Sequence, residues 1–171
     1  MKGEIRMLAL ILILALTSVI ALQVYNNNSV PAEPLPALTL TELETRTPFD
    51  PAAIEGTYLL NIWGSWCAPC RIEHAALMAL SAEGIAIYGL NWRDEIDDAN
   101  AFLDELGDPY RGVMQDVDGQ SVRALGIDGA PETLVISADG NILVRWQGPI
   151  TVDVLNNRIY PALEREARRA R

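Results

Sequence analysis

From residue 58 onward, short apolar runs alternate with stretches in which apolar residues return every three or four positions. Residues 58–63 (YLLNIW) are apolar except for Asn61 and stop at Gly64-Ser65, which predicts a buried strand. Ile72, Ala75, Ala76, Ala79 and Leu80 then recur at helical spacing as far as Gly84. They predict a helix with these residues on its buried face, and Pro69 fits the first turn, where its missing N–H is not needed. A second strand is predicted over 85–90 (IAIYGL). An acidic amphipathic helix follows over 94–106, burying Ile96, Phe102, Leu103 and Leu106 and closed by Gly107. Residues 110–114 predict a short strand and 119–125 a short helix. Residues 133–137 and 141–146 flank Ala138-Asp139-Gly140, the signal of an antiparallel hairpin. A last helix covers 152–169, and Pro161 must start, kink or split it. Strand, helix, strand, helix, hairpin and closing helix predict an α/β domain, a central mixed sheet flanked by helices.

The N-terminal pattern is different. Lys2 and Arg6 precede an uncharged apolar run over residues 7–22. Such a run suits a single-pass membrane anchor over residues 1–25, with a cleaved signal peptide as the alternative. Either one exports the domain, and positive charge retained inside places it on the periplasmic face of the inner membrane. Residues 26–38 (NNNSVPAEPLPAL) have three prolines, few charges and no periodicity, and read as a flexible linker. The domain is expected over 39–171.

Charge narrows the partners. The chain carries a net charge of −10, so nucleic acid is not an expected partner. Arg165, Arg168, Arg169 and Arg171 crowd the C-terminus, where cations suit the end of a helix. Lys2 is the only lysine, which excludes Schiff-base chemistry in the domain.

The candidate chemistry lies in Trp66-Cys67-Ala68-Pro69-Cys70, which holds the only two cysteines. As a structural staple the pair would close almost no loop and gain almost no stability. As a redox couple it is well placed: the preceding strand and following helix put it at a helix N-terminus, whose amides favour a thiolate. A Cys-x-x-Cys pair beside such a pattern reads as a thioredoxin-like site. Cys67 is expected to be the better-exposed sulfur and to attack first, with Cys70 resolving the mixed disulfide. The helix dipole contributes only about 0.3–1 kcal/mol, a weak thiolate stabilisation that leaves the dithiol ready to give up electrons. The pair therefore reads as a reductant. Trp66 is expected to line an apolar docking surface, Trp63 the core and Trp92 the rim.

His74 is the only histidine, and Cys67, Cys70 and His74 are spaced to share a helix face, so a copper- or zinc-binding module is the rival reading. His74 as a helix-surface residue is the preferred one, as is a solvated Glu73. Arg71 stands where covalent haem attachment needs a histidine.

Three segments carry a narrower resemblance: residues 60–67 (LNIWGSWC), 89–94 (GLNWRD) and 126–133 (GIDGAPET). With them the chain resembles the CcmG/DsbE family, the membrane-anchored, thioredoxin-fold thiol reductases of cytochrome c maturation. The resemblance implies a cis peptide before Pro131, packed against the disulfide. The backbone of Ala130 would then be free to pair with an extended client peptide. Glu132, directly after that proline, is expected to face the sulfurs and to tune the thiols or take a proton from Cys70, with a partly exposed acid at the strand start as the alternative. The resemblance further implies no metal and no cofactor beyond the Cys67–Cys70 disulfide, apocytochrome c or a maturation partner as client, and a transmembrane electron donor of the DsbD/CcdA type. A general exported reductase with another client is the alternative. Two departures stand out. Asn61 occupies the place of the buried aspartate of generic thioredoxins, and Ala-Pro replaces the Pro-Thr frequent in the narrower family.

Overall fold

β4 (Tyr58–Trp63) is buried at all six positions, as its apolar run predicts, and it is the central strand of the fold. The computed structural model describes residues 15–18, 33–45 and 47–170. Contacts divide the chain into two units, residues 1–32 and residues 33–171. The predicted anchor falls almost wholly outside the described residues; among those described, no helix is long and apolar enough to cross a membrane.

Within the second unit the sheet order is β1-β8-β7-β4-β5-β6-β2-β3. β4, β5 (Ile87–Trp92) and β6 (Gly112–Asp116) run parallel. On one side β7 (Glu132–Ile136), β8 (Asn141–Gln147) and β1 (Glu33–Pro34) add antiparallel. On the other, β2 (Leu40–Glu42) pairs antiparallel with β6 and with β3 (Pro48–Phe49). The parallel trio demands helical crossovers, supplied by α1 (Ala68–Ala82) and α2 (Ile96–Leu106). A short α3 (Gln120–Ala124) precedes β7. β1 lies inside the segment expected as linker, and Leu35 and Leu38 pack on the core of the second unit.

Period-two alternation along β4 divides the core. Tyr58, Leu60 and Ile62 face Leu90, Met114, Val122 and Leu134, while Leu59 faces Leu77, Leu80, Val154 and Ile159. Each fully buried Leu or Ile contributes about 1.5–3 kcal/mol relative to exposure. Asn61 shares the second face, buried with polar partners rather than apolar ones.

α1 differs from its expected face. Its buried residues are Cys70, Glu73, His74, Leu77 and Leu80, whereas Ile72 is 74 % exposed. Leu80 is common to both stripes, and Leu77 sets the helix rotation because it carries far more apolar area than any of the alanines. Glu73 and His74 are thereby drawn inward. α1 ends in a Schellman turn, with Gly84 N–H on Ser81 O at 2.9 Å and Ile85 N–H on Leu80 O at 3.2 Å. Gly84 has φ +86°, the left-handed conformation this turn requires and glycine adopts at no cost.

Pro161 leaves the last helix, α4, in one piece. Its segments are Val152–Val154, a π-helical Leu155–Ile159 and Tyr160–Arg169. Tyr160 N–H bonds back to Leu155 O, five residues away, and this wider turn accommodates the proline.

Candidate active site

Cys67 is the N-cap of α1, and Cys70 lies one turn inside. Their sulfurs are joined in a disulfide, with the Cys70 N–H directed at Cys67 Sγ over 3.2 Å. That amide, shared with the Cys67 carbonyl at 3.1 Å, lies in the first turn of the helix, where N–H groups favour a thiolate after reduction. Both cysteines are buried, Cys67 at 3 % and Cys70 at 2 % exposure, so Cys67 is not the clearly more exposed residue that was expected. Trp63 and Phe102 pack behind them and Ala130 beside them. What faces outward is the rim: Trp66 at 53 % exposure, with Ala68 and Pro69 also exposed. The Trp66 ring meets Trp92 edge to face at 5.7 Å, and Trp92 is more buried, at 8 %, than a rim residue. Trp63 is core, as expected, stacked on Tyr110 at 5.6 Å.

The peptide between Ala130 and Pro131 is cis. Ala130 is half-buried and packs against the cysteine-bearing core. Ala130 thus packs on the core that holds Cys67 and Cys70, while Trp66, directly before Cys67, rests on Trp92.

Glu132 opens β7 opposite Ile62 and is 7 % exposed. It is paired with Arg145 on β8, whose Nη1 stands 3.4 Å from Glu132 Oε1. Arg145 in turn holds Glu33 of β1 by two bonds, of 2.6 and 3.2 Å. Burial raises the Glu132 carboxyl above the ordinary carboxylate range, and the Arg145 charge opposes that rise.

Glu73, expected to be solvated, is 1 % exposed. Its Oε1 accepts from Asn61 Nδ2 and its Oε2 from Ile150 N–H, each at 2.9 Å. Asn61 Nδ2 also reaches Thr133 Oγ1 at 3.0 Å, and Tyr110 Oη donates to Asn61 Oδ1 at 2.8 Å. With no cation in this set, burial pushes the Glu73 carboxyl up to about 7. A proton-holding group therefore lies one helical turn from Cys70. The sequence signal for it was available: Glu73 falls on the stripe through Cys70, Leu77 and Leu80.

His74 is also buried, not on the helix surface. Its Nε2 is 2.8 Å from Gly107 O, and its ring meets Phe102 edge to face. Against a carbonyl that nitrogen donates, so it is not a free metal ligand. Arg71 is paired with Glu105 at 2.8 Å and lies over Phe102 at 5.0 Å.

A family model described as Redoxin matches residues 31–159. The thiol:disulfide interchange protein HelX of Rhodobacter capsulatus is 40 % identical over 149 residues, covering 84 % of this chain and 85 % of that protein. DsbE of Escherichia coli K12 is 33 % identical over 183 aligned positions and covers 99 % of each chain. The chain belongs to the DsbE/CcmG-type thiol:disulfide interchange proteins. Solved structures carry the same fold. A secreted thiol-disulfide isomerase of Corynebacterium glutamicum superposes with TM-score 0.65 at 28 % identity, over 76 % of this chain and 85 % of that one. A secreted Mycobacterium tuberculosis disulfide oxidoreductase gives TM-score 0.63 at 21 % identity, over 73 % of this chain and 96 % of its own. Membership of this interchange family makes the chain a thiol:disulfide oxidoreductase, built on the thioredoxin-like mixed sheet described above.

Proposed function

We propose that this interchange protein works as a reductant, with Cys67 as the attacking thiol and Cys70 as the resolving one. The observation that carries the reading is the Cys67–Cys70 pair at the start of α1, with the Cys70 N–H on Cys67 Sγ and no cationic side chain bonded to either sulfur among the described residues. In the reduced protein the Cys67 thiolate attacks a client disulfide. One client sulfur leaves as a thiolate, which takes up a proton from water, and a mixed disulfide forms. Cys70 loses its proton and attacks Cys67 Sγ, which releases the second client thiol and closes the Cys67–Cys70 disulfide. Two electrons pass to the client. Weak stabilisation of the thiolate, limited to a helix N-terminus, favours this direction.

Trp66 and the Ala130–Pro131 loop supply the docking edge, on which an extended client pairs as a short strand beside the sulfurs. Glu73, with its proton affinity near neutrality, accepts the Cys70 proton in the resolving step. Glu132 tunes the charge next to the loop. The family resemblance extends the proposal to an exported domain held at the inner membrane by the N-terminal segment. There it reduces apocytochrome c, or a partner's disulfide, before haem attachment and is recharged by a transmembrane donor of the DsbD/CcdA type.

The test is reduction of a disulfide-closed peptide carrying an apocytochrome c haem-binding segment. The reduced protein should open it with matching oxidation of Cys67 and Cys70, faster than it opens an unrelated exported disulfide protein. Equal rates on both would replace the specific client with a general reductase.

A further inference from the structure

The turn that presents Cys67 is held at both of its central residues by a single loop. Cys67 N–H donates to Gly64 O at 3.1 Å, closing the four-residue turn Gly64-Ser65-Trp66-Cys67. Ser65 is fixed by Asp94: its N–H meets Asp94 Oδ2 and its hydroxyl donates to Asp94 Oδ1, each at 2.6 Å. Trp66 is fixed two residues earlier on the same loop, where its Nε1 donates to Trp92 O at 3.0 Å. The turn is also tightly folded, because a Cβ on Gly64 would lie 2.5 Å from the Trp66 indole nitrogen.

The loop itself is built to deliver that carboxylate. Arg93 is the one non-glycine residue with positive φ among the described residues, at +48°, a conformation L side chains rarely adopt. It reverses the chain between the end of β5 and the start of α2, with its N–H on Asp116 O at 3.2 Å. Asp94 is 9 % exposed, and its carboxylate accepts two more bonds, from Asn91 Nδ2 at 2.8 Å and Glu95 N–H at 3.1 Å. Gln115 Nε2 fixes its backbone carbonyl at 3.0 Å. Backbone strain held in place by so many bonds next to reacting atoms points to a functional constraint.

We propose that Asp94 is a positioning residue for thiol exchange. Through Ser65 it locks the turn so that Cys67 and the exposed Trp66 face one client together. A client must meet the sulfur and the indole surface at once, so loosening the turn slows its attack. A small aromatic disulfide meets only the sulfur and does not need the turn held. The inference rests on the proposed roles of Cys67 and Trp66.

The experiment compares the full chain with Asp94→Asn, Ser65→Ala and the double variant, at a temperature where near-ultraviolet circular dichroism shows each folded. Rates are measured on a disulfide-bonded protein and on a small aromatic disulfide. Asp94→Asn is expected to slow the protein client about tenfold and the small disulfide less than about twofold, with Ser65→Ala showing the same selectivity at smaller size. The double variant should be no slower than Asp94→Asn alone, since the carboxylate acts through Ser65. Equal slowing on both substrates, or none on either, would overturn the proposal. A parent chain unable to reduce even the small disulfide would instead overturn the thiol-exchange reading beneath it.

Discussion

Asn61 and Glu73 face each other beneath the disulfide, Asn61 Nδ2 donating to Glu73 Oε1 over 2.9 Å. Generic thioredoxins place a buried aspartate at the strand position of Asn61. Here the strand offers an amide and the buried carboxyl comes from the helix that carries the cysteines. A buried carboxyl is thus present one helical turn from Cys70, contributed by another element.

The Glu73 carboxyl, at about 7 in the folded chain against 4.5 unperturbed, makes stability depend on pH. A folded-state value above the unfolded one means that the native state binds the proton more tightly. Its contribution is full below about pH 4.5 and is lost as the pH rises through about 7. The loss amounts to about 3 kcal/mol once Glu73 is ionised. Urea denaturation of Glu73→Gln should match the parent near pH 5 and exceed it at pH 8. Parallel parent and variant curves over that range would show that Glu73 ionises freely.

Asn61→Asp puts a second carboxyl within hydrogen-bond distance of Glu73. Two buried carboxyls cannot both ionise, so the pair retains a proton well above the ordinary carboxylate range. The variant should lose on the order of 3 kcal/mol at pH 8 and recover most of it at pH 5, where the pair holds its proton. A pH-independent loss would locate the cost in packing instead.

Arg145 links Glu132 to Glu33 and so connects β1 with the residue after the cis-proline. Arg145→Gln should cost about 1–3 kcal/mol at pH 8, because it strands a buried carboxylate, and less at a lower pH, as protonation removes that charge. Glu33→Gln removes a pair that is half-exposed at the glutamate and should cost less than about 1 kcal/mol. Chemical denaturation of both at the two pH values decides this, and a larger loss from Glu33→Gln would reverse the assignment.

His74 separates the redox reading from the metal reading. Buried between Phe102 and Gly107 O, it should cost about 2 kcal/mol or more when changed to Ala, with thiol exchange kept within about twofold. A metal carrier predicts the reverse: little change in stability and loss of stoichiometric copper(I) binding, read by dialysis.

Much of this was legible in the residue pattern. The run 58–63, the hairpin around Ala138-Asp139-Gly140 and the placement of Cys67 and Cys70 at a helix start all follow from local periodicity and turn chemistry. β1, β2 and β3 were not legible, since strands of two or three residues carry no period: β1 exists by pairing with distant β8, β2 by pairing with distant β6, and β3 by pairing with β2. The burial of Glu73 and His74 was not legible because an alanine-rich helix offers two apolar stripes that share Leu80, and tertiary packing of Leu77 chooses between them. Asp94 was invisible as a site residue because its partner, Ser65, is 29 positions away.

The most direct test of the central claim is to trap the client. Cys70→Ser in the full-length chain removes the resolving thiol, so whatever Cys67 attacks in living cells should stay attached to it. The account predicts a mixed disulfide with apocytochrome c or a maturation partner, absent when Cys67 is replaced as well. No adduct, under conditions where another exported thiol exchanger is trapped, would contradict it.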